Sequence, residues 1–136
     1  MALNNADRRE PMMQIDIKGR NVPVTDKIRD HAERRLTKVA RQVSDLARLE
    51  IEIFKEPNPR VADCQVAEAT LYLKGVTLRA RDASPEMLHS INLMVDELAR
   101  QVKRHRDKLR HRREAHAAAA QEASRIAARR AAQPSL

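Results

Sequence analysis

Apolar and polar residues alternate along residues 13–19 (MQIDIKG). Met13, Ile15 and Ile17 fall on one side, and Gln14, Asp16 and Lys18 on the other. That is the period of a half-buried strand. Residues 47–54 (ARLEIEIF) repeat it, with Ala47, Leu49, Ile51 and Ile53 opposed to Arg48, Glu50, Glu52 and Phe54. The second half of residues 61–75 does so again. Ala67, Ala69, Leu71 and Leu73 point one way, and Glu68, Thr70, Tyr72 and Lys74 the other. After a tight turn at Gly75, Val76, Leu78 and Ala80 oppose Thr77, Arg79 and Arg81 in a fourth strand. The stretch KEPNPR, with two prolines and an asparagine, reads as a loop.

Two segments carry the helical period instead. In residues 25–43, Ile28, Ala32, Leu36, Val39, Ala40 and Val43 make one stripe. Thr25 is a suitable N-cap, and Asp26 suits the positive end of the helix dipole. Lys27, Arg34, Lys38 and Arg41 lie largely on the outer side. The second helix is predicted to open at Ser84-Pro85-Glu86, with Ser84 as N-cap and Pro85 as first helical residue. Its stripe is Leu88, Ile91, Val95, Leu98, Val102 and Leu109, interrupted by His105.

Every strand has one apolar face, so the sheet needs a cover on one side only, and two amphipathic helices can supply it. The expectation is an α+β fold of order β-α-β-β-β-α: a four-stranded mixed sheet with two helices packed on one face. The first crossover should be parallel and right-handed, with hairpins after it. A helix from Pro85 to about Arg113 would span roughly 43 Å, against about 23–31 Å for the strands. It should therefore outrun its sheet from near Val102. Residues 1–12 lack periodicity and read as a disordered leader, with Met12 and Met13 offering alternative starts. Residues 13–113 read as one domain. Residues 114–136 read as an Ala/Arg-rich basic tail, either a nascent helix or mobile.

Charge changes this picture. The 136 residues carry a formal net charge of +8, which suits a polyanionic partner. Residues 100–114 (RQVKRHRDKLRHRRE) hold eight Lys/Arg against two acids. Basic residues relieve the helix dipole only within the last turn, so this excess points to an external polyanion. Phe54 and Tyr72 are the only aromatics. Stacking on single-stranded bases uses several rings, so nucleic-acid contacts should be mainly to phosphates.

Together these segments resemble the ribosome hibernation promoting factor family, which includes ribosome-associated inhibitor A. The likeness covers about residues 13–110. It rests on MQIDIKGRNVPVTDKIRDHAERRLTKV, on the NPR loop and on PEMLHSINLMVDELARQVKRHRDK. Met87, Ile91, Asn92, Leu98, Arg100, Gln101 and Val102 are its most specific part. The resemblance implies a bacterial, cytoplasmic translation inhibitor. Such a factor would bind the small ribosomal subunit through ribosomal RNA under stress, and would block the mRNA and tRNA sites. It further implies RNA contacts by Lys27, Arg34, Arg35, Lys38 and Arg41 on the first helix. On the second it implies contacts by Arg100, Lys103, Arg104, Arg106 and Lys108. Ser90 departs from the alanine usual there. Nothing after residue 110 resembles the dimerisation domain of the family's long form, so direct pairing of ribosomes by this chain alone is not expected; off the ribosome a monomer is expected. The alternatives are a general double-stranded RNA or DNA binding module and a protein-interaction helix.

No catalytic constellation is present. Cys64 lies near a strand start without a His or Asp arrangement for nucleophilic catalysis, and the five histidines lack a zinc spacing. No enzyme activity, cofactor or metal is expected. The longest apolar runs fall far short of a membrane span, and the N-terminus has no secretory signal. Glu50 and Glu52, among Arg48, Arg79 and Lys74, are expected to form a cross-strand charge lattice. Phe54 and Tyr72 should be partly buried by long neighbouring side chains.

Overall fold

The computed structural model describes residues 13–133. The leader expected over residues 1–12, and the last three residues of the expected tail, lie outside that range. The elements run β1 (Gln14–Arg20), α1 (Asp26–Arg41), β2 (Arg48–Lys55), β3 (Gln65–Leu73), β4 (Val76–Ser84) and α2 (Met87–Ala132). This is the expected β-α-β-β-β-α order. The sheet has the order β1-β2-β3-β4. β1 is parallel to β2, with Ile17 beside Ile51, and the other two pairings are antiparallel.

The core lies between one sheet face and the two helices. Leu49, Ile51, Ile53, Ala67, Ala69, Leu71 and Ala80 are buried from the sheet side, and α1 adds Ala32, Leu36, Val39 and Ala40. α2 adds Ile91, Met94, Val95, Leu98 and Val102. Alternation thus places these strand residues on the covered face, as period two requires. Two positions expected in the α2 stripe, Leu88 and Leu109, are only half-buried. Met94 and Ser90 are buried instead. The Ser90 hydroxyl donates to the Gln65 carbonyl at 2.6 Å and lies 2.8 Å from the Ser84 hydroxyl. A polar group can be buried here because its hydrogen bonds are made.

Thr25 caps α1 as expected, its hydroxyl accepting from the Ile28 N–H at 3.2 Å. The start of α2 differs from expectation. Ser84 is the last residue of β4, paired with Gln65, and the helix begins at Met87. The Ser84 hydroxyl still accepts from the Glu86 N–H at 3.2 Å. Strand pairing has therefore taken the residue that resembled a cap, and the first helical turn follows it. The end differs too: α2 continues unbroken for 46 residues to Ala132.

Two backbone sites depend on residue type. A Cβ on Gly19 would collide with the Val22 carbonyl oxygen, so glycine lets the chain double back between β1 and α1. Gly75 has φ +80° in the β3–β4 turn, a conformation that glycine adopts at little cost.

Candidate nucleic-acid interface

The spacings between Lys27, Arg34, Lys38 and Arg41 are seven, four and three residues, so the helical period stacks them on one side of α1. Leu36, Val39 and Ala40 anchor the opposite side in the core. All four cations are exposed. Among the described residues, no carboxylate lies within ion-pair distance of any of them.

Arg35 is placed differently. Its guanidinium donates to Asp96 of α2 at 3.0 Å. One turn earlier, His31 Nε2 meets Asn92 Oδ1 at 2.7 Å. These two contacts tie α1 to the part of α2 that covers the sheet. Gln101 ties α2 to the sheet instead, donating to the Arg79 carbonyl of β4 at 2.6 Å. Arg100 is likewise engaged, its Nε and Nη2 donating to Glu97 at 3.1 and 2.6 Å. Of the ten residues singled out from the sequence, Arg35 and Arg100 thus hold carboxylate partners. A phosphate would have to compete with Asp96 or Glu97 for them.

The fold divides after Val102, the last buried residue of α2. From Lys103 onward the described chain is helical to Ala132, with only His105, Asp107 and Leu109 half-buried and the rest exposed. This segment carries ten Lys/Arg against three Asp/Glu, and so holds +7 of the chain's +8. Local pairs form between Arg110 and Asp107 at 3.0 Å, and between Arg125 and Glu122 at 3.7 Å. Lys103, Arg104, Arg106 and Lys108 have no carboxylate at ion-pair distance among the described residues. The same holds for Arg112 and Arg113, which extend the run beyond the residues assigned from the resemblance. Their signal was already present in the undiminished charge density up to residue 113.

The uncovered sheet face has the opposite character. Arg20 pairs with Glu52 at 3.4 Å, Arg48 with Glu50 at 3.5 Å and Arg81 with Glu68 at 3.7 Å. The expected charge lattice is there, but Arg20 and Arg81 complete it rather than Lys74 and Arg79. The register explains this. Lys18, Glu52, Glu68 and Arg81 form one cross-strand row, in which two adjacent carboxylates need cations nearby. Both aromatics are covered. Arg20 and Arg81 lie 4.2 and 5.2 Å from the Phe54 ring centre, and Arg48 lies 4.6 Å from that of Tyr72. The Tyr72 hydroxyl donates to Glu50 at 3.2 Å. Phe54 is only 7% exposed. Rings capped by guanidinium groups are poor platforms for stacked bases. Among the described residues, no group of three His, Cys, Asp or Glu could hold a metal. No helix there is long and apolar enough to cross a membrane.

The fold and site define a small α+β domain with cation-bearing helices and a charge-balanced sheet. Residues 15–110 match the family described as sigma 54 modulation protein / S30EA ribosomal protein, and the chain belongs to that family. It is 32% identical over 97 residues to a ribosome hibernation promotion factor of Picosynechococcus, covering 71% of this chain and 50% of that protein. A factor of the same name from Lactococcus lactis is also 32% identical, over 72% of this chain and 52% of its own length. The chain thus spans about half the length of these two relatives. They are named for ribosome hibernation rather than for an enzymatic activity. The N-terminal domain of Thermus thermophilus Protein Y superposes with a TM-score of 0.52 at 28% identity, over 68% of this chain and 96% of that one. A ribosomal subunit interface protein from Coxiella burnetii shares the fold, with a TM-score of 0.59 at 19% identity, over 70% of this chain and 99% of that one.

Proposed function

We propose that this protein is a cytoplasmic ribosome hibernation factor. It docks on the RNA of the small ribosomal subunit and occupies the mRNA and tRNA sites under stress, so that translation stops. The observation that carries this reading is the set of exposed cations without carboxylate partners: Lys27, Arg34, Lys38 and Arg41 on α1, and Lys103, Arg104, Arg106 and Lys108 on α2. Family membership and the names of the relatives support the same partner. A-form RNA presents phosphates and 2′-hydroxyls rather than readable major-groove edges, which suits a surface of charge without free aromatics. Residues 13–113 are the segment we assign to this contact.

Co-sedimentation with purified small ribosomal subunits through a sucrose gradient tests the proposal. The unsubstituted chain should travel with the subunit. The K103E/R104E/R106E variant should stay at the top, since its substitutions lie beyond the core. Co-sedimentation of that variant at undiminished yield would overturn the reading.

The covered aromatics favour one alternative, a general duplex-binding module that reads only backbone charge. Competition decides between the two. A hibernation factor should keep its ribosome when challenged with excess bulk duplex RNA, and a general module should be stripped from it.

A further inference from the structure

We propose that Arg125, Arg129 and Arg130 form a second RNA-phosphate contact on α2. The alanine-rich helix between them and the basic run at residues 103–113 holds this contact at a set distance. The inference rests on the ribosomal RNA reading above and adds a contact that the family match, which ends at residue 110, does not include.

Three observations carry it. First, the cations beyond Val102 fall into two groups. Residues 115–124 contain no Lys or Arg, and the three arginines then follow within six residues. Second, α2 does not break between the groups. From Arg113 to Arg125 the helical rise sets a separation of about 18 Å. Alanine is the best helix former, so this stretch can stay helical with its side chains exposed to solvent. A helical spacer also removes much of the ordering cost that a loose linker would incur on binding. Third, dipole relief does not account for the whole group. That effect falls off within the last turn, where Arg129 and Arg130 lie, while Arg125 precedes it and lies 3.7 Å from Glu122, an exposed pair that a phosphate would displace. Arg129 and Arg130 have no carboxylate at ion-pair distance among the described residues.

The same stretch speaks against a protein or a membrane as the occupant. A helix docking in a protein groove presents large apolar anchors at helical spacing, and an interfacial helix needs a broad apolar face. Beyond Leu109 the only bulky aliphatic side chain described is Ile126. The remaining apolar residues are alanines, whose methyl groups let phosphates approach the helix closely.

The test is equilibrium binding of the full chain to salt-washed small ribosomal subunits across a potassium chloride series. R125Q/R129Q/R130Q keeps helix propensity, which far-UV circular dichroism verifies, and removes the charges. Each lost phosphate contact lowers the salt slope by about 0.7–0.9, so this variant should bind more weakly, with a slope shallower by roughly two. A118P interrupts the spacer but keeps every charge, and should weaken binding several-fold. An unchanged slope in the arginine variant overturns the second contact. Unchanged affinity in A118P overturns the fixed spacing. K103Q/R104Q/R106Q separates the two levels of the argument. If it loses binding while the distal variant does not, only this inference falls. If neither changes binding, the ribosomal RNA reading falls with it.

Discussion

His31 of α1 and Asn92 of α2 meet at 2.7 Å across the two helices that cover the sheet. An amide oxygen can only accept, so the contact requires the His31 tautomer with its proton on Nε2. One turn further along both helices, Arg35 meets Asp96. The seam sets the spacing of the two helices, and with it the position of the cationic stripe on α1. Asn92→Ala leaves a half-buried donor without its partner. A loss of about 1–2 kcal/mol is expected, read as a lower urea midpoint with an unchanged slope.

Ser90 makes a comparable contact in the core. Its hydroxyl joins α2 to the Gln65 carbonyl at the start of β3. Ser90→Ala removes that link and leaves the serine oxygen of Ser84 with one neighbour fewer. The expected cost is about 1 kcal/mol by urea denaturation, with ribosome binding retained.

The α1 stripe can be separated from the seam. Replacing Lys27, Arg34, Lys38 and Arg41 by Gln should weaken small-subunit binding and lower its salt slope by roughly three. Stability should shift by no more than about 0.5 kcal/mol, because exposed positions without partners contribute little. Arg35→Gln should change binding less than any one of these four, since Asp96 already holds the guanidinium.

Gly19 admits no side chain. The Cβ of Gly19→Ala would fall on the Val22 carbonyl, a backbone atom that cannot swing aside. The expected loss is about 3 kcal/mol, the upper end for an overpacked site, detected as a large drop in thermal midpoint and in soluble yield.

The strands were legible in the sequence because period two places each residue on a face whatever its partners are. Thr25 was legible as a cap because its signal is local and nothing competes for it. Ser84 was not, since the same residue satisfies a cap pattern and the last rung of β4, and only the pairing with Gln65 decides between them. Phe54 was assigned to the outer face from alternation alone. Its near-complete burial goes with Arg20 from β1 and Arg81 from β4 lying over the ring, and no local pattern reports the place of those strands in the sheet. The cationic site was legible as composition. That Arg35 is held by a carboxylate 61 residues away was not. The full extent of α2 was hidden for a related reason. Beyond Leu109 there is no apolar stripe to mark a helix, and only the propensity of alanine remains.

The division after Val102 also separates two kinds of chemistry. Residues before it hold the buried side chains and are nearly charge-neutral, and those after it hold almost all of the positive excess. A protease that cuts after Lys or Arg would find its sites clustered on an exposed helix outside the hydrophobic interior. A single nick near Lys103 would detach seven of the eight net positive charges, while the cations of α1 stay with the core. Proteolysis at that point would strip the molecule of most of its positive excess in one irreversible step, without cutting the hydrophobic interior.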